Sequence, residues 1–501
     1  IDLGSNSFRL VVFTAADGWW KRTDEIYEAV RIGQGLDASG ELGAKPMKRA
    51  LQAIEVFAHF LRSQRIEAPD IEAVATSAIR DATNQAEFVD LVTAQTGLDV
   101  RVITREEEAY HGYLAAVNST TLADGAVLDL GGGSLQLVEV KGRHHDRVGS
   151  WSLGAVRMTE HFLADDEGTS KKERKALRAH VEQTLAEDAG WLPGCGRRIV
   201  GIGGTMRNLA TAAQAEAGDP SYGIQGFSIE RDALDDLIDE LASMPASERG
   251  NVKGIKSARA DLILAGAIVV QCVLELGEFD AIEVTEAGLR EGIFFGSILE
   301  GDPPLFDDVR RSSVLNLAAR YHVDPVHTEH VAKLATGLFD QLATAGLHPG
   351  DPIERELLVA ACALHDIGMS VDYDDHHKHS RYLILNADLA GFEPREVALI
   401  AQAARYHRKG NPDFGELESL AADGDVERLD RLATLLRLAE DLERSRDQTV
   451  HATHVESEDG TIRLELDADG SASVERWAVE REVDLFDRAF KRKLKVRARA
   501  R

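Results

Sequence analysis

The residues best suited to chemistry come as a doubled pattern. "DLGGGS" runs from Asp129 to Ser134, and "DLGSNS" runs from Asp2 to Ser7. Each has an apolar lead-in, Asp-Leu-Gly, a turn of small residues with Ser, and then an apolar run. A glycine turn leaves backbone N–H groups open to a phosphate, because no Cβ intervenes. The Asp that ends each lead-in strand cannot itself meet a phosphate favourably. It can hold Mg2+, directly or through water, and the metal then bridges to phosphate oxygens. An apolar run rather than a helix follows each turn, so each is expected to close a β-hairpin. Two such hairpins facing each other would form metal-and-phosphate jaws around one cleft. The glycine turn "GIGGT" (Gly201 to Thr205) strengthens that reading. One Gly-Gly-Gly turn alone would imply only a tight hairpin, and the strict spacing of a dinucleotide-binding loop is absent.

The elements that must hold these turns alternate. "FRLVVF" and "LQLVEV" read as strands. Between Met47 and Ile66, Leu51, Ile54, Ala58 and Leu61 share one face at helical spacing. "IEAVATSAIRDATN" predicts strand, turn and helix start, "EEEAYHGYLAAVNST" a helix, and "RRIVGIGGTMRNLATAA" a strand, glycine turn and helix. Alternating strands and helices indicate α/β layers. Around "LEGDPPLFDDVRRSS" (Leu299 to Ser313) prolines and acids mark a linker. Beyond it the chain reads as nearly all helix until about Gln448, and then as a small α+β unit.

Bulk properties bound the function. The 501 residues suggest about three domains, with 44% apolar and 28% charged content typical of globular protein. A net charge of −28 argues against nucleic-acid binding, and any polyanionic substrate would need a locally basic channel. No apolar run approaches the roughly 20 residues that span a bilayer, and no signal peptide is evident. Cys195, Cys272 and Cys362 form no CxxC pair, which suits a reducing cytoplasm. The chain starts without Met in what reads as mid-strand, so a few native residues are expected before it. The basic end, Lys491 to Arg501, is expected to be a solvated tail or part of an anion-binding surface.

These motifs, with "REEEA" and "EAGLREG", resemble the exopolyphosphatase / guanosine pentaphosphate phosphohydrolase (Ppx/GppA) family from Ile1 to about Leu299. The resemblance implies an α/β fold of two duplicated actin-like lobes, of the Hsp70-ATPase and ribonuclease H-like kind. They would span 1–118 and 119–299, with the C-terminal helix of the second lobe free to return to the first. An all-α HD-type domain (300–448) and a small α+β domain (449–501) would follow. Position by position, it implies Glu108 as the catalytic carboxylate that activates water, with Glu107 as the fallback and Glu106 on a solvated helix face. Asp129 and Asp2 would be ligands to Mg2+, or to Mn2+ in its place. Asn6, Ser7, Gly131, Gly132, Gly133 and Ser134 would contact phosphate. Arg80 would clamp a phosphate, and Arg259 would supply a second clamp or else an ordinary salt bridge. One departure stands out: the family commonly has Glu two residues after that Ser, and this chain has Gln136. Gln is neither a base nor a strong metal ligand.

A second constellation comprises "HTEHV", "LHDIG", "DDHHKHSRYLI", "ARYHRKGNP" and "LLRLAEDLERS". It resembles HD domains, which hold a divalent metal and include (p)ppGpp hydrolases. By position the ligands would be His327, His365, Asp366 and Glu440, where the HD pattern has Asp. Asp441 is adjacent, but neighbours on a helix point about 100° apart, so both would not serve one metal. A second divalent metal there, a degenerate site, and a structural or phosphate-binding role all remain open. "HHKHS" and "RYHRK" make a basic surface, on which any of His376, His377 and His379 could be a plain exposed residue. The expected function is Mg2+-dependent release of terminal phosphate from inorganic polyphosphate. The alternatives are guanosine pentaphosphate (pppGpp) 5′-phosphohydrolase, or a polyphosphate- or nucleotide-binding regulator with weak hydrolysis. A cytoplasmic homodimer, without nucleic-acid or membrane partners, completes the expectation.

Overall fold

The doubled motif belongs to a doubled sheet. In one sheet the strands lie in the order Trp19–Glu28, Phe8–Ala16, Asp2–Leu3, Val74–Ala75, Arg101–Val102. In the other the order is His144–Trp151, Leu135–Lys141, Gly125–Leu130, Ile199–Ile202, Ala281–Val284, with Phe227–Glu230 added at the edge. The pairing senses also repeat: each Asp-bearing strand is antiparallel to the strand after its turn and parallel to the strand on its other side. The strand beyond that is again parallel in both sheets. The computed structural model describes residues 1–16, 18–163, 168–220, 222–458 and 460–500. It divides into two compact units, residues 1–15 with 20–309 and residues 16–19 with 310–501.

Each sheet of the first unit has its own core. Leu3, Phe8 and Leu10 meet Ile54, Phe57, Ala58 and Leu61 of the helix Ala44–Gln64. In the second lobe the helix Ile263–Leu276, "ILAGAIVVQCVLEL", is apolar all round because it is buried on nearly every side. Among the described residues, no helix is long and apolar enough to cross a membrane. Two helices join the lobes. The helix Arg105–Val117 follows the last strand of the first sheet but packs Tyr113, Leu114 and Val117 against Val127, Val138, Val200 and Ile202 of the second. The helix Leu289–Ile298 approaches it so closely at Gly292 that a Cβ there would meet His111 O. Its Phe294 stacks on Phe13 of the first sheet, with centroids 4.2 Å apart. The proline-rich linker is tied down: Asn118 donates to Pro304 O at 3.0 Å and accepts from Phe306 N at 2.8 Å.

The second unit is helical through Asp425–Leu442. Three of its helices, Pro325–Thr344, Pro352–Leu364 and Pro394–Arg405, begin with proline after an acidic cap residue. Proline suits that first position because its missing N–H would have no partner there anyway. A three-stranded sheet, Val450–Glu458, Thr461–Ala468 and Lys493–Ala500, closes the unit with helices Ser473–Val479 and Val483–Phe490. The basic end is therefore an edge strand. Leu494 turns inward while Lys493, Lys495 and Arg497 are exposed. Arg501 lies outside the described residues.

Candidate active site

The two turns close with the same backbone bond. Gly4 N donates to Ser7 O at 3.2 Å, and Gly131 N donates to Ser134 O at 3.0 Å. Beyond the turns, Asp2 sits opposite Arg9, and Asp129 sits opposite Gln136. The turns also face each other. A Cβ at Gly133 would lie 2.6 Å from Ser77 Oγ and 2.9 Å from Ser5 Oγ, and one at Gly132 would lie 3.4 Å from Asn6 Cβ. Ser5 Oγ and Ser77 Oγ are themselves 2.7 Å apart. Only glycine allows this approach. Asn6 is buried, and neither atom of its amide has a hydrogen-bond partner. Ser7 is half-buried, and Ser134 is buried.

Local helix chemistry selects one Glu from "REEEA". Glu107 forms a capping box with Thr104: Glu107 N donates to Thr104 Oγ1 at 3.1 Å, and Thr104 N donates to Glu107 Oε2 at 2.8 Å. Glu106 is exposed and Glu108 is buried. One turn on from Glu108, a Cβ at Gly112 would lie 3.5 Å from Asp129 Oδ2. On its other side Asp129 abuts Gly203 of "GIGGT", whose φ of 98° demands glycine. Asp2 and Asp129 keep a partial opening to solvent yet sit deep in the unit. Burial raises the pKa of all three carboxylates. Glu108 and Asp2 push Asp129 further, to about 7, against the pull of Arg207. Glu108 is raised although Arg80 pulls it down, and Asp2 is raised although Arg290 and Arg9 pull it down.

Cations surround these acids. Arg80 Nη1 donates to Glu108 Oε2 at 2.8 Å and to Ile103 O at 3.1 Å, its Nε lies 3.8 Å from Asp81 Oδ1, and its buried Nη2 has no hydrogen-bond partner among the described residues. Arg259 is half-buried with its guanidinium against Gly204, where a Cβ would come within van der Waals overlap of Nη2. Gly204 opens the helix Gly204–Glu216, so the guanidinium lies at an N-terminus already suited to anions. The ion pair of that segment is made by Asp261 with Arg31, at 2.8 Å, and not by Arg259. Three further arginines escaped the sequence reading. Arg9 pairs with Glu25 at 2.7 Å. Arg207 donates to Glu286 O at 3.0 Å, and burial and Arg290 bring it down to about 10. Arg290 has two buried nitrogens without hydrogen-bond partners. "EAGLREG" contains Arg290, and Arg207 lies two residues beyond "GIGGT", so one stood in a quoted motif without a role and the other just outside one.

Three carboxylates that burial raises against the pull of the arginines around them fit a hard divalent ion. Among the described residues, the triads whose ligand atoms lie within 4.8 Å of one another are both in the helical unit. An ion in the cleft would therefore draw its remaining ligands from water and phosphate, as Mg2+ commonly does. Gln136 is buried on the Asp129 face. Its Nε2 donates to Ser134 Oγ at 2.8 Å, and its Oε1 has no partner.

The helical unit gathers His327, His365, Asp366 and Glu440. Glu440 Oε2 lies 3.0 Å from His327 Nε2 and 3.2 Å from His365 Nε2. Asp441 faces elsewhere, into a pocket with Tyr373, His377 and Arg408. Burial works against the charged form of Asp366, yet His365 and its neighbours hold its carboxyl far below the usual range. The histidines read as a basic surface are largely interior: His376, His377 and His407 are buried, and His379 is half-buried. The helices that carry them pack on one another, which no local pattern announced.

The Ppx/GppA phosphatase family matches residues 11–300, and the family's domain III matches residues 309–480. The Aquifex aeolicus member of that family has 29% sequence identity and a TM-score of 0.50, over 59% of this chain and 95% of its own. An exopolyphosphatase-like protein has 27% identity and a TM-score of 0.53, over 58% and 94%. An exopolyphosphatase from Cytophaga hutchinsonii shares the fold at 21% identity and a TM-score of 0.55, over 59% and 96%.

Proposed function

This chain belongs to the Ppx/GppA phosphatase family, and from that premise we propose that it is an exopolyphosphatase that removes the terminal phosphate of inorganic polyphosphate. The observation that carries the reading is the pairing of buried Glu108 with Arg80, whose Nη2 has no hydrogen-bond partner among the described residues. Arg80 can hold Glu108 with Nη1 while Nη2 donates to a phosphate oxygen, which sets the base beside the phosphorus. Glu108 takes a proton from water, and the water oxygen attacks the terminal phosphorus in line. The bond to the shortened chain breaks, and the new end carries the charge away. Backbone N–H groups of Gly132 and Gly133, with Asn6, Ser7 and Ser134, hold the terminal phosphate, while the Gly131 N–H closes the turn onto Ser134 O. Arg259, Arg9, Arg207 and Arg290 offset the −28 net charge for the next phosphates in line. Asp129 and Asp2 would hold Mg2+, which neutralises phosphate charge and polarises the bond to be broken.

The deciding measurement is phosphate release from long polyphosphate, short polyphosphate and pppGpp with Mg2+, alongside Glu108→Gln. Release from polyphosphate that Glu108→Gln abolishes is the expected outcome. Release from pppGpp alone would transfer the same chemistry to a nucleotide γ-phosphate. Binding of all three without release would overturn hydrolysis and leave a regulator.

A further inference from the structure

Arg80 has a second acid beside it, and that acid is held from the opposite lobe. Asp81 follows Arg80 directly, at the end of the short helix Ser77–Arg80. Its Oδ1 lies 3.8 Å from Arg80 Nε and 3.5 Å from Arg105 Nη2. Its Oδ2 accepts from Arg157 Nη2 at 3.0 Å. Arg105 opens the helix that carries Glu108. Arg157 belongs to the helix Ala155–Phe162 of the second lobe. The side chains of Arg80, Asp81 and Arg157 are 14%, 21% and 16% exposed, so water and salt screen these charges poorly.

The Arg157 helix is seated on the phosphate turn. Ala155 N donates to Gly131 O at 3.0 Å, and Val156 N donates to Gly132 O at 2.8 Å. A Cβ at Gly154 would overlap the backbone of Gly132 and Gly133. The turn and Arg157 therefore keep one geometry, and Asp81 ties that geometry to Arg80 across the two lobes.

The tie bears on a competition for Arg80. A carboxylate beside a guanidinium tends to close on it with both oxygens. Glu108 occupies Nη1, so Asp81 is the neighbour placed to close on Nε and Nη2. That would consume Nη2, which has no hydrogen-bond partner among the described residues. Asp81 does not close. Arg157 takes its Oδ2, and Nε keeps only a long contact with Oδ1.

We propose that Arg157 is a positioning residue: by holding Asp81 it keeps Arg80 Nη2 open for a phosphate oxygen and fixes that clamp relative to the glycine turn. The inference rests on the reading of Arg80 as a phosphate clamp. Arg157 acts through Asp81 rather than on the substrate.

The test measures phosphate release by the whole chain, with Mg2+, from polyphosphate and from pppGpp. Arg157→Gln should lower kcat/KM by about thirtyfold, the scale of one lost charge-assisted contact. Asp81→Asn removes the competitor along with one weak anchor of Arg80, and should lower it by only about threefold. Arg157→Gln combined with Asp81→Asn should match Asp81→Asn alone within about twofold, so that the second substitution rescues the first. A double variant no better than Arg157→Gln would overturn the proposal, and so would an Arg157→Gln enzyme that loses nothing. A crystal structure of metal-free Arg157→Gln reads the geometry without any substrate. Asp81 should swing onto Nε and Nη2 of Arg80, and a carboxylate left clear of Nη2 would overturn the proposal. That readout separates the two ideas. A parent chain that cleaves neither substrate would defeat the exopolyphosphatase reading, while the position of Asp81 would still decide the role of Arg157.

Discussion

Two buried groups of acids in this protein meet opposite fates. In the cleft, burial raises Asp2, Glu108 and Asp129, Asp2 adds to Glu108, and both add to Asp129. In the helical unit burial also opposes the charged forms of Asp366 and Glu440, yet both are held well below the ordinary carboxylate range. The difference lies in what faces them. Asp366 and Glu440 look onto imidazoles and Arg446 at hydrogen-bond range. Asp129 looks onto two other carboxylates and an Arg207 already committed to a carbonyl. In the helical unit the acids are paired by their own neighbours; in the cleft burial outweighs the arginines, which suits a divalent cation arriving with the substrate's phosphate.

The largest expected effect separates the two regions outright. Glu108→Gln keeps the shape and the Arg80 contact but cannot take a proton. It should lower kcat for phosphate release by about 10^3-fold with binding retained. His365→Ala combined with Asp366→Ala should change the same rate by less than about threefold. Steady-state kinetics on both variants checks the contrast. A matching collapse in the second, with the fold intact, would make the helical cluster part of the same reaction.

The next contrast is one of sign. Asp129 has a pKa near 7 when folded against an ordinary 3.8. Between those values the folded state binds more protons than the unfolded state, so this group's contribution to stability falls as pH rises. The whole penalty is present above about pH 7. Asp129→Asn should therefore stabilise the metal-free protein at pH 8 by about 2–4 kcal/mol, and hardly at all at pH 4. Asp366 is lowered, so its contribution is present above its unfolded value and lost as pH falls. Asp366→Asn should destabilise the metal-free protein at pH 8. Urea unfolding with chelator at both pH values reads both signs, and the same sign in both variants would erase the distinction.

A smaller effect should follow from crowding one cation. Gly204→Ala places a methyl where the Arg259 guanidinium rests, and the flexible arginine would give way. KM for polyphosphate should rise by roughly tenfold, about the worth of one charge-assisted contact, with kcat little changed. An unchanged KM would remove Arg259 from the phosphate track.

What could be read ahead of the structure was whatever a short stretch encodes. The strands around Asp2 and Asp129 alternate, the turns carry their own glycines, and "REEEA" follows a Thr that caps it. The register that puts Gln136 opposite Asp129 follows once the hairpin is granted. The arginines were harder. Arg9 comes from a strand, Arg207 from one helix and Arg290 from another, and only the packing of two lobes brings them near one set of acids. His376 and His407 misled for a related reason. Lys378, Arg405, Arg408 and Lys409 surround them in sequence and suggest an exposed surface. Alternate sides of a helix can differ completely, and the histidines took the inner side.

The smallest expected effect concerns Gln136, and it compares the two hairpins themselves. At the matching position of the first hairpin, Arg9 faces Asp2; in the second, a neutral amide faces Asp129. The amide has a specific consequence. Gln136 Nε2 donates to Ser134 Oγ, so the serine's own proton stays free to be given to a phosphate oxygen. Gln136→Glu would reverse that bond, because a carboxylate can only accept, and Ser134 would spend its proton there. It would also add a fourth carboxylate beside Asp129. Mg2+ should then half-saturate the enzyme at roughly three- to tenfold lower concentration at pH 8, while KM for polyphosphate rises by a similar factor. Two opposite shifts in one variant are hard to obtain from simple misfolding. If Mg2+ dependence and KM both stay where they are, Gln136 merely fills space, and the neutral hairpin has no chemical meaning.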